Sequence, residues 1–65
     1  MSADESLTKA ETLLARLDAA RARLEQTDEP DQAIEVLQEL AELAREIESE
    51  LQRARRATEA DAADA

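Results

Sequence analysis

A chain of 65 residues is at most one small domain, and without cysteine or histidine it has neither a disulfide scaffold nor a thiolate or imidazole metal centre. Its net charge of −9 and pI near 4.3 oppose direct attraction to phosphate backbones and anionic lipid, so no direct nucleic-acid contact and no membrane binding are expected. Apolar residues make up 43% of the chain but none is aromatic, and so small a core calls for a supplement from oligomerisation or a partner helix.

In chain order, Ser2 and Glu5 stand at capping-box spacing and open a first helix expected over residues 3 to about 26. Within it Leu7, Ala10, Leu14, Leu17 and Leu24 recur at intervals of three and four, interrupted at Arg21. Glycine is absent and Pro30 is the only proline, so the one strong break falls at the turn, residues 27–29. Proline suits the first position of a helix, the residue before it is pushed toward extended geometry, and either Asp28 or Glu29 serves as the cap. The second helix is expected from Pro30 to about Thr58, with Ala33, Leu37, Leu40, Ala44, Ile47, Leu51 and Ala54 as its stripe. Arg53, Arg55 and Arg56 suit its last turns, where positive charge complements the helix dipole. Residues 59–65 carry no large side chain and read as an acidic, flexible tail.

Two amphipathic helices joined by a short turn predict an all-α fold, an antiparallel two-helix hairpin over residues 1–58. Its expected core is Leu7, Leu14, Leu17, Leu24, Leu37, Leu40, Ala44, Ile47 and Leu51. The apolar surface is wider than one such seam needs: Leu13 and Ala20 flank it on the first helix, and Val36 and Leu43 on one side, Ile34 and Ala41 on the other, flank it on the second. Leu13, Ile34, Val36 and Leu43 are therefore the expected partner interface, covered by a helical protein partner or, in the isolated chain, by a homo-oligomer.

Catalysis finds no support. Glu35, Glu39, Glu42 and Glu46 line one face, but it is opposite the Leu37, Ala44 and Leu51 stripe, where carboxylates face water and no pocket orients a substrate. Ser2, Ser6 and Ser49 have no histidine base, and phosphate-cradling loops need glycines that are absent. No catalytic, cofactor-binding or metal-ligating residue is expected. No apolar run is long enough to span a bilayer, and Met1-Ser2-Ala3-Asp4-Glu5 carries neither the basic nor the apolar part of an export signal, so the expected location is cytoplasmic.

The stretch from Arg23 to Ala54, Arg-Leu-Glu-Gln-Thr-Asp-Glu-Pro-Asp-Gln-Ala-Ile-Glu-Val-Leu-Gln-Glu-Leu-Ala-Glu-Leu-Ala-Arg-Glu-Ile-Glu-Ser-Glu-Leu-Gln-Arg-Ala, resembles the small subunit of bacterial exonuclease VII. The matching positions are Leu14, Leu17, Arg23, Leu24 and Glu25, then Ala33, Ile34, Glu35, Val36, Glu42, Leu43, Ala44, Arg45, Leu51 and Ala54. The likeness extends from about Ala10 to Thr58, without the family's usual turn glycine or its aromatic residues. It implies a helical hairpin that is a non-catalytic subunit, bound to a large nuclease subunit that degrades single-stranded DNA. Two other roles fit the residues alone: a homo-oligomeric bundle acting as scaffold or adaptor, and an acidic regulator that presents the Glu35, Glu39, Glu42 and Glu46 face to a basic surface.

Overall fold

The computed structural model describes residues 2–64, and side-chain surroundings for residues 2–60. It contains two helices, α1 (Ala3–Glu25) and α2 (Pro30–Asp64), packed against each other along α1 as an all-α hairpin. Ser2 starts α1 from an extended conformation, and its Oγ accepts the Glu5 N–H at 3.2 Å, satisfying one of the donors that a helix start leaves free. Asp4 and Glu5 add negative charge to the first turn and Arg23 positive charge to the last.

The chain reverses without glycine because the turn needs no left-handed residue: no described residue has a positive φ. Gln26 closes α1, its N–H shared between the carbonyls of Arg23 and Leu24. Thr27 then donates its N–H to Leu24 at 3.2 Å and its Oγ1 to the Arg23 carbonyl at 2.7 Å. Between the two candidate caps the structure selects Glu29, whose carbonyl accepts the Ala33 N–H at 3.0 Å as the first bond of α2.

The second helix departs from expectation at its far end. It continues past Thr58 to Asp64, through the segment read as a flexible tail, because Glu and Ala are good helix formers and nothing there breaks the helix. At 1.5 Å per residue its length is about 52 Å, which accounts for the 54 Å long dimension of a molecule only 14 by 13 Å across.

The packing follows a strict heptad. Among the described side chains, every residue not exposed to solvent lies at alternating intervals of three and four: Ala3, Ser6, Ala10, Leu13, Leu17, Ala20, Leu24 and Thr27, then Ala33, Val36, Leu40, Leu43, Ile47, Glu50, Ala54 and Ala57. Calling Ala3 and Ala33 position a places the first four alternate residues of each helix at a and the others at d. The reversed chain sets Leu24 level with Val36, Ala20 with Leu40, Leu17 with Leu43 and Leu13 with Ile47, and these eight residues form the core cluster. Ala20 is completely buried, so a small residue sits where α1 and α2 approach beside the larger Leu40.

Candidate interaction surface

The observed seam corrects the expected one. Leu17, Leu24, Leu40 and Ile47 belong to it as anticipated, but Leu7, Leu14, Leu37 and Leu51 are 43–52% exposed and Ala44 is also exposed. Three of the four residues assigned to a partner, Leu13, Val36 and Leu43, are instead buried inside the hairpin, and only Ile34 stays at the surface, at 53% exposure. The expected stripe combined positions a and e, whereas the helices meet along a and d. Two features favour the second choice. On α1 every a and d residue is apolar or small and uncharged, while the e positions include Arg21, whose burial would be costly. The a and d seam also brings Arg23 of α1 beside Glu39 of α2, where they form an ion pair.

Arg21 remains on the surface, where its guanidinium donates to Asp18 Oδ1 from Nε at 3.2 Å and from Nη2 at 3.1 Å, and also to Glu25. The hydrogen bond with Asp18, followed by the charge of Glu25, raises its pKa further above the ordinary arginine value.

One seam position breaks the apolar pattern. Glu50 is only 7% exposed; its Oε1 accepts from Arg53 Nη1 at 2.9 Å, and its buried Oε2 has no hydrogen-bond partner. Its level on α1 is that of Ala10, with buried Ser6 a turn away, so small residues leave room for the carboxylate. Sequence reasoning missed it. Its spacing from Leu43, Ile47 and Ala54 is the available signal, masked by the charge of the side chain.

The two sides flanking the seam differ in chemistry. The g positions, Lys9, Arg16 and Arg23 on α1 and Glu39, Glu46 and Arg53 on α2, make one side charged. Lys9, Arg16, Glu46 and Arg53 line a shallow groove there, together with Thr8, Thr12, Ser49, Leu13 and Glu50. Glu35 and Glu42 are exposed beside the g positions of α2, so the acidic face lies away from the apolar flank as the pattern implied.

The opposite side is apolar. Its e positions are Leu7, Leu14 and the charged Arg21 on α1 and Leu37, Ala44 and Leu51 on α2, and Ile34 and Ala41 widen it along α2. In the reversed register Leu7 is level with Leu51 and Leu14 with Ala44, so both helices contribute to one stripe about 25 Å long, from the rise between Ile34 and Leu51. Five large aliphatic side chains, each about half in water, make this the surface most suited to binding another helix.

No group of three or more acidic, histidine or cysteine side chains among the described residues is placed to hold a metal ion. No described helix is long and apolar enough to cross a membrane. Comparison with known proteins gives no relative: no family model, no curated protein and no solved structure matches the chain.

Proposed function

We propose that this chain is a non-catalytic accessory subunit that binds a larger protein through its apolar side. The observation that carries the reading is the group of Leu7, Leu14, Ile34, Leu37 and Leu51 along one side, which the hairpin itself leaves 43–53% exposed. The resemblance of Arg23 to Ala54 to the exonuclease VII small subunit supplies the class of partner, a large nuclease subunit acting on single-stranded DNA. All chemistry then resides in that partner, in keeping with a described surface on which carboxylates are solvated or paired with arginine. The expected location remains the cytoplasm, where such a partner meets DNA.

Moving the interface from Leu13, Val36 and Leu43 to the exposed stripe also moves the informative substitution. Leu43→Asp would place a charge in the seam and unfold the hairpin, so loss of binding would say nothing about docking. Leu37→Asp changes a half-exposed side chain instead. Co-expression with an exonuclease VII large subunit is expected to yield a complex that survives purification, to be lost with Leu37→Asp and retained with Glu42→Ala. Failure of the unmodified chain to co-purify removes the nuclease assignment.

A further inference from the structure

The apolar side of α2 repeats the arrangement of a helix-packing seam. Ile34, Leu37, Ala41, Ala44 and Leu51 follow one another at intervals of three, four, three and seven, and only Glu48 interrupts the stripe. Alanines at its middle allow another helix to approach closely, with a bulky aliphatic residue toward each end. Reversed and centred between Ala41 and Ala44, an antiparallel copy sets Ile34 level with Leu51 and Ala41 level with Ala44 of the second copy, while Leu37 comes level with Glu48.

Charge favours the same reversed pairing. The start of α2 is acidic, with Asp28, Glu29 and Asp31, and the stretch beyond the seam is basic, with Arg55 and Arg56. Reversal brings Asp31 within one residue of the level of Arg55 of the second copy, an arrangement in which opposite charges fix orientation. On the other helix, Arg21, which already donates to Asp18 and Glu25, comes within one residue of the level of Glu11 of the second copy. A parallel copy would instead place acidic end on acidic end.

Resting on the reading of this side as a docking surface, we propose that a second copy of the chain covers it in the free protein. The two hairpins stack antiparallel, α2 on α2 and α1 on α1, as a four-helix bundle whose second seam is built from Ile34, Leu37, Ala41, Ala44 and Leu51. With a stripe only about 25 Å long, the dimer is a weak one, expected to dissociate on the order of micromolar concentration. Each copy carries a net charge of −9, so added salt tightens the dimer by screening that repulsion. Docking on a larger subunit then exchanges one hairpin for another surface.

The full-length chain tests this directly. Sedimentation equilibrium from about 5 to 500 micromolar, a range that brackets a micromolar dissociation constant, is expected to show a monomer–dimer equilibrium that shifts toward dimer as salt is raised. Ala44→Arg, at an exposed position, is expected to leave the helical circular dichroism in place and weaken dimerisation at least tenfold. Because the chain has no cysteine, Ala41→Cys and Ala44→Cys variants can be mixed under mild oxidation. The mixed disulfide is expected to dominate over either like pair, since reversal sets Ala41 beside Ala44 of the second copy. A chain that stays monomeric throughout, or cross-links equally well through Ser49→Cys on the charged side, overturns the proposal. A monomer that still captures the nuclease large subunit overturns self-association alone, whereas a dimer that captures none overturns the nuclease assignment alone.

Discussion

Leu43 and Leu37 are leucines on the same helix with opposite environments, so truncating each in turn decides which stripe closes the hairpin. Leu43 is 7% exposed, and cutting a buried leucine to alanine costs about 2–5 kcal/mol, toward the lower end where two thin helices can close over the gap. Leu37 is 52% exposed; the three carbons lost are worth about 0.8 kcal/mol each when buried, so half-burial leaves about 1 kcal/mol. The small gain in helix propensity from alanine is common to both and cancels. In a domain of this size about 1 kcal/mol corresponds to about 4–8 °C, so Leu43→Ala is expected to lower Tm by about 10–20 °C and Leu37→Ala by about 4–8 °C. The assay is thermal unfolding followed by ellipticity at low micromolar concentration, where self-association contributes least. Equal losses for the two variants would refute the a and d seam.

Glu50 and Ser2 provide two further checks. Glu50→Leu is expected to be neutral or stabilising by about 1–2 kcal/mol in urea unfolding, because an apolar side chain replaces a buried carboxylate with one unpartnered oxygen. Arg53→Ala removes the partner of that carboxylate; with the arginine side chain 56% exposed, the expected cost is about 1 kcal/mol, and a loss no larger than that of Arg55→Ala would contradict the role assigned to the pair. Ser2→Ala removes the bond to the Glu5 N–H and is expected to cost about 0.5–1 kcal/mol, read as increased amide exchange confined to the first turns of α1.

The hairpin could be read from the sequence because its signals are local. Pro30 at a helix start, Ser2 three residues before Glu5, and helix-favouring composition on both sides of a single break each act within a few residues, and the helices start where these signals place them. The choice of buried face was harder because it depends on the other helix. Positions d and e lie on either side of a, and on α2 each carries large aliphatic residues: Val36 and Leu43 against Leu37 and Leu51. Counting leucines favoured e. The packing favours d because α1 keeps charge out of that line and brings Arg23 to Glu39, neither of which is visible from α2 alone. A surplus of apolar residues beyond one seam is legible in the sequence, but exchanging the two stripes assigns that surplus to the wrong members, apart from Ile34.

The reversed register also gives the hairpin an order of assembly. Thr27 and Ala33, at the turn, need only a short loop to meet, whereas Ser6 and Ala54 must close nearly the whole chain. Closure therefore proceeds as a zipper from the turn outward, and Glu50, near the open end, enters the seam late. A carboxylate that enters after the rate-limiting step governs how quickly the hairpin opens rather than how quickly it forms. Glu50→Leu should accordingly slow unfolding and leave the folding rate unchanged in stopped-flow measurements. In the native chain, Glu50 then marks the weaker end of the seam, farthest from the turn that joins the two helices.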